Sequence, residues 1–175
     1  NPQDQGFFAV GFWDGTNVRC CSIVSDHGQG TTQTGRICST TKIAVRISAT
    51  TFSVTDSWSI SNITDGIRIT MDDDSTSIER YAAVLLLPSS MNCKVGTFTP
   101  NTTQNATATS ESLGFEPKAL LFASSGTGNT SGSAHVTLTY GACVDDGGLT
   151  QRQVMVYDQD NVGTSNSGMR VDTDS

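Results

Sequence analysis

In this chain apolar residues recur at every second position, in short runs separated by turn-forming residues. A period of two is the signature of a strand, not of a helix. In "GIRITM" Ile67, Ile69 and Met71 share one face while Arg68 and Thr70 take the other. Further on, Ala134, Val136, Leu138 and Tyr140 oppose His135, Thr137 and Thr139. Ribbons with one apolar face bury it by packing on one another. Eight more runs fit: "FFAVGFW", "RCCSIV", "KIAVRISA", "FSVTDSWSI", "RYAAVLLL", "KVGTF", "KALLFAS" and "RQVMVYD". All are rich in β-branched or aromatic residues and bounded by Gly, Pro, Asn, Asp or Ser. The pattern predicts an all-β fold, an antiparallel β-sandwich, with a jelly-roll order ahead of a closed barrel. "AAVLLL" is apolar on both sides, which places it centrally or against a neighbouring subunit. "SSGTGNTSGS" is expected to be a loop within this architecture, because the same alternation resumes after it.

The chain also resembles itself. "VRCCSIVSDHGQGTTQTGR" and "QRQVMVYDQDNVGTSNSGM" match Arg19 with Arg152, Gly30 with Gly163, Thr31 with Thr164 and Gly35 with Gly168, at a constant offset of 133. Upstream, Gly11 of "FFAVGFW" and Gly141 of "VTLTYGAC" lie 130 apart. The missing residues fall at the hairpin tip, "DGTN" against the longer "VDDGGLT", where a length change touches no core. A unit of roughly 130 residues is too long for a solenoid coil and suits a whole domain copied in tandem. On this reading residues 1–35 are the C-terminal part of a preceding β unit and residues 36–175 a second unit, incomplete at its end. Further residues of a parent polypeptide are then expected on both sides.

Composition excludes several classes. Hydrophobic residues are 35% and Gly numbers 17, a balance that favours short strands with polar turns. A net charge of −7 and a pI near 4.5 argue against a nucleic-acid partner, which needs a basic stripe. The longest apolar run, "YAAVLLLP", is too short to insert across a membrane. Five cysteines leave at least one unpaired within the chain. None has zinc-site spacing, so buried small apolar thiols are expected, with a disulfide from Cys38 or Cys93 an open alternative that depends on distances. Cys20 and Cys21, being adjacent, should point to opposite faces of their strand.

Catalytic and metal constellations are thin. A nucleophilic triad would need His27 or His135, yet there is no GxSxG elbow and His135 sits on the polar side of its strand. Asp72, Asp73 and Asp74 form a carboxylate run whose like charges suit a solvated turn. "DQDNVG" sets Asp158, Asp160 and Gly163 at the first, third and sixth places of a calcium loop, but Val162 and the missing glutamate break the pattern. Sequons at Asn62, Asn101, Asn105 and Asn129 are in line with the Asn, Ser and Thr content. No catalytic, cofactor-binding or metal-ligating residue is assigned, and no cofactor is expected.

"VGTFTPNTTQNATATSESLGFEPKALLFASSG" is the most distinctive stretch. In it Gly114 is placed to take a positive φ, Phe115 to plug the core edge, and Pro117 to fix the chain before a strand. A "GF-x-P-K-A-L-L-F" strand after a "VGTFT" strand, with "GIRITM…RYAAVLLL" before both, resembles tandem β-domain structural proteins of tailed bacteriophages. The resemblance covers roughly residues 60–168, and through the repeat residues 7–36. It implies a non-enzymatic virion component of fibre, tail or capsid-decoration type, homo-oligomeric, contacting other virion proteins, and assembled in a host cytoplasm. Cys20–Cys21 and the partial unit at each end depart from that pattern. The alternative is an extracellular adhesin or carbohydrate-binding module, with Trp13 or Trp58 stacking on a cell-surface glycan, although both sit in strands that favour core packing.

Overall fold

A computed structural model describes residues 5–26, 33–74, 84–88, 90–99, 103, 113–125, 135–145, 147–159 and 167–173. Every regular element among these is a strand: β1 Gln5–Trp13, β2 Val18–Asp26, β3 Gln33–Ser39, β4 Ala44–Ile47, β5 Val54–Ile63, β6 Gly66–Asp74, β7 Ala119–Ser124, β8 His135–Asp145, β9 Leu149–Gln159 and β10 Gly168–Thr173. They pair antiparallel into three sheets, β1-β2-β3, β4-β5-β6 and β10-β9-β8-β7. The expectation of an all-β sandwich holds. Strand order within each sheet follows the chain, whereas a jelly-roll sets strands from distant parts of the sequence side by side. No such pairing occurs among the described residues.

β2 shows why the first sheet lies in the middle. Its even-numbered positions, Cys20 and Val24 among them, bury against Val45, Ile47 and Ala49, with Ile37 and Phe52 packed alongside. From the opposite face Ile23 meets Val136 and Leu138 of β8, flanked by Val10, Cys21 and Val156. Cys20 and Cys21 thus serve opposite faces, as adjacency in a strand requires. A strand apolar on both faces is what a central layer needs.

The turn between β4 and β5 is closed by Ser48 N–H donating to Ser53 O (2.8 Å) and Phe52 N–H to Ser48 O (2.9 Å). It holds Phe52 at a φ of 58°, a left-handed conformation that costs a non-glycine residue free energy. The ring packs against the core cluster, which offsets that cost. Gly114 takes the positive φ expected of it, 76°, and Phe115 is half-buried beside it.

Two expected strands are not seen among the described residues. The described part of "RYAAVLLL", residues 84–87, is not in a strand and is exposed, Leu85 by 72%. "KVGTF" is likewise not a strand; its Val95 N–H donates to Asp14 Oδ2 at 2.7 Å and so fixes that stretch to the β1–β2 tip. In their place stand β3, with Gly35 inside it, and β10, which opens on Gly168; glycines of this kind usually mark a turn. The expected boundary between residues 35 and 36 falls inside β3. The "SSGTGNTSGS" loop lies mostly outside the described residues.

Candidate functional site

The two stretches that match in sequence also match in register. In the first sheet Gln5 faces Asp26, Gly11 faces Cys20 and Trp13 faces Val18. The corresponding pairs in the third sheet are His135 with Gln159, Gly141 with Gln153 and Cys143 with Gln151. The third strands agree as well, Val24–Gly35 answering to Tyr157–Gly168. The extra length of the second hairpin lies beyond Cys143–Gln151, as the Val144–Thr150 and Asp145–Leu149 pairs and the tip.

Equal register makes the difference in covering informative. On the first sheet the glycine-bearing face lies under the β4 segment. A Cβ on Gly11 would stand 1.9 Å from the Ile43 carbonyl oxygen, and one on Gly35 would stand 3.0 Å from Ile47. Cys20, Ser22 and Val24 are buried beneath that segment. On the third sheet Gln153 and Tyr157, the counterparts of Cys20 and Val24, are exposed, and Met155, the counterpart of Ser22, is half-buried. Among the described residues only cross-strand rings cover its glycines. A Cβ on Gly141 would meet Phe122 at 2.2 Å, and one on Gly168 would meet Tyr157 at 2.4 Å. Beside them Thr139, Gln153, Met155, Arg170 and Asp172 line a shallow cavity of about 160 Å³.

A second concentration of chemistry lies at the seam between the first and third sheets. Cys21 on β2 and Cys38 on β3 are direct cross-strand partners, with Sγ atoms 2.8 Å apart. Cys38 Sγ is 3.1 Å from the hydroxyl of Ser125, which is buried just past the end of β7. Cys21 Sγ lies 3.8 Å from the Ala123 carbonyl. A hydrogen bond from the Cys21 thiol, with others from the Ser125 hydroxyl and N–H and the nearby Arg36 charge, outweighs burial and brings Cys38 down to about 6. Donating that bond, together with burial, pushes Cys21 well up. Cys20, on the far face, is raised to about 11 by burial.

Ser25 and Asp158 meet across the same seam through a hydroxyl–carboxylate hydrogen bond. These two residues are themselves counterparts at the offset of 133. Asp158 is buried and also accepts the Gln159 N–H at 2.9 Å, so its oxygens serve the interface between layers. Its calcium-loop companions Asp160 and Gly163 lie outside the described residues.

The remaining candidates are dispersed. His135 is exposed at the start of β8, and His27 lies outside the described residues. Asp72 accepts from Lys42 Nζ at 2.8 Å and Ser59 Oγ at 3.0 Å. The lysine hydrogen bond, seconded by the serine, holds its carboxyl below the usual range. Trp58 stacks on Phe7 with ring centroids 6.2 Å apart, and Trp13 is half-buried. Asn62 is exposed on β5, while the other sequons lie outside the described residues. Among the described residues no cluster of three or more His, Cys, Asp or Glu is arranged to hold a metal ion, and no helix is long and apolar enough to cross a membrane.

Sequence reasoning left a disulfide from Cys38 open without pairing it to Cys21, and it passed over the glycine face. The first depended on β3, which a glycine and polar neighbours disguised. The second was within reach of the sequence self-match, because Gly11, Gly35, Gly141 and Gly168 are among its matched residues. Comparison of the chain with protein-family models, with curated proteins and with solved structures finds no match.

Proposed function

We propose that this chain is a non-enzymatic structural module, built from successive copies of a β unit of roughly 130 residues, in a virion of fibre, tail or decoration type or a comparable extracellular assembly. One observation carries the reading: the same glycine-bearing face, in the same register, lies under the β4 segment in one meander and in the other is covered, among the described residues, only by rings of its own sheet, Phe122 and Tyr157. The occupant that fits this second face is an extended apolar segment of the kind that spans residues 42–52, supplied by a further unit. Val84, Leu85, Leu86 and Leu87, all exposed, add apolar surface of the sort that subunits bury on one another. The resemblance of "GFEPKALLF" and its preceding strands to phage structural domains points the same way.

The glycan-binding alternative has less support. Trp58 is engaged with Phe7 and Trp13 is half-buried, so neither offers a free platform for a sugar ring. The test titrates a synthetic peptide of residues 42–52 into the chain with methionine methyls labelled. Saturable shifts at Met155, without change at Met91, support the reading. An unmoved Met155, with a monomeric mass at all concentrations, overturns it. Retention of such a monomer on a glycan array would favour the adhesin.

A further inference from the structure

The geometry points to Cys21 and Cys38 as a cross-strand redox pair that closes to a disulfide in an oxidising compartment and opens in a reducing one, so that the seam between the first and third sheets carries a thiol switch. The two residues face each other in register on antiparallel strands. Facing residues have Cα atoms about 4.5–5.5 Å apart, inside the 4.4–6.8 Å range that a disulfide spans. Their sulfurs, at 2.8 Å, already lie within non-bonded contact, so closure needs rotation of two side chains and no strand movement. Cys20, the neighbour most able to compete, is directed to the opposite face and pairs with Ser39.

The surroundings divide the roles. Cys38 is the attacking thiolate, held by the Cys21 thiol and the Ser125 hydroxyl. Cys21, its proton retained, is the resolving thiol. With a glutathione-type disulfide as oxidant, the Cys38 thiolate attacks one sulfur, forms a mixed disulfide and expels one glutathione thiolate, which takes up a proton. Cys21 then attacks the Cys38 sulfur, its S–H proton passing to the second departing glutathione thiolate. Counting the proton that Cys38 released to solvent on becoming a thiolate, which the first glutathione thiolate takes back, the protein loses two protons and two electrons, and one glutathione disulfide becomes two glutathione thiols. Since Cys38 contacts Ser125 at the end of β7, closing the pair draws its sulfur toward Cys21 and changes the hydrogen bonding that ties the first sheet to the third.

The experiment equilibrates the intact chain in glutathione buffers of stepped ratio, quenches exchange with acid, alkylates the free thiols in denaturant so that buried Cys20 also reacts, and then maps tryptic peptides. Cleavage after Arg19, Arg36 and Lys42 separates residues 20–36 from residues 37–42. The expected result is a fall from five alkylatable thiols to three, a mass loss of about 2 Da, and a linked pair of those two peptides. Because the first peptide holds both Cys20 and Cys21, the link should survive Cys20→Ala and vanish in Cys21→Ala. Full alkylation of Cys21 and Cys38 in the most oxidising buffer, with the far-ultraviolet spectrum still that of a folded β protein, would overturn the proposal. So would a link from Cys38 to any other cysteine. Full alkylation, and a link from Cys38 to Cys93 or Cys143, are read on the unaltered chain and depend on no variant folding.

Discussion

Replacing Gly11 by alanine places a methyl group 1.9 Å from the Ile43 carbonyl oxygen. Backbone, unlike the tip of a side chain, has no rotamer by which to step aside. The β4 segment must retreat by about 1.5 Å to restore ordinary contact, and each ångström of gap forfeits a large share of the dispersion energy beneath it. Ile43 is anchored from the other side by its N–H donating to Trp58 O at 2.9 Å, so the retreat strains β5 as well. Overpacking of this kind costs about 1–3 kcal/mol, with the upper end expected for a backbone clash. Removing a glycine from a strand returns about 0.5–1 kcal/mol of unfolded-state entropy. The net loss is about 2 kcal/mol, or a Tm lower by roughly 4–8 °C for a chain of this size.

Two further glycines serve as internal standards. Gly6 has nothing within 4 Å of where a Cβ would stand, so Gly6→Ala shows the entropic gain alone. Gly141 is the counterpart of Gly11, but its neighbour is the Phe122 ring at 2.2 Å, on a face where a side chain can swing outward. Gly141→Ala should therefore cost about 1 kcal/mol before the entropic return and close to nothing after it. Urea unfolding followed by circular dichroism, with unchanged m-values, should rank stability as Gly6→Ala, then Gly141→Ala, then Gly11→Ala. A Gly11→Ala protein as stable as Gly6→Ala would refute the claim that β4 rests on the first sheet through that glycine.

Two other outcomes follow from single contacts. Arg46 and Asp56 face each other across β4 and β5, bonded at 3.0 Å with side chains 8% and 0% exposed; Asp56→Ala should cost about 3–5 kcal/mol by leaving a buried charge, while Arg46→Met with Asp56→Leu should recover most of it, as denaturant midpoints would show. Asp14 has its carboxyl held at about 2, burial being outweighed by hydrogen bonds from the N–H groups of Asn17, Val95 and Thr16 and from the Asn17 side chain. A carboxyl lower in the folded state contributes stability that is complete above its unfolded value, 3.8, and is lost as pH falls through 2; melts at pH 5, 3 and 2 should show that loss, and Asp14→Asn should flatten it.

The period-two runs were sufficient for the fold class because burial of one face is a local demand, visible within six residues. They located eight of the strands the structure forms. They failed where the demand is not local. β3 and β10 look like turns because Gly35 and Gly168 lack side chains, yet Gly35 lies inside its strand and Gly168 opens its own, each with neighbours near the space a Cβ would take, Ile47 and Phe52 at one and Tyr157 at the other. "AAVLLL", apolar on both sides, reads as a strand placed centrally or against a neighbouring subunit; its described part is exposed, so the central placement does not hold for it. A strand buried on both faces needs two covering layers, and this segment has neither among the described residues. The dithiol was illegible for a related reason: 17 positions separate Cys21 from Cys38, and only the register of β2 with β3 brings them together.

Glycine carries the last step. A glycine in a strand weakens it, so one at the same rung of two similar meanders calls for a use that both share. In the first sheet that use is visible, since the backbone of Ile43, just ahead of β4, comes closer to Gly11 than any Cβ would permit. In the third sheet Phe122 occupies the equivalent space, but a ring over Gly141 does not require glycine there, because the ring can turn aside where a backbone cannot. The unexplained glycine is thus the residue that argues most directly for a further layer on that face. The exposure of Tyr157 and Gln153, where the first sheet buries Val24 and Cys20, shows how much surface such a layer would cover.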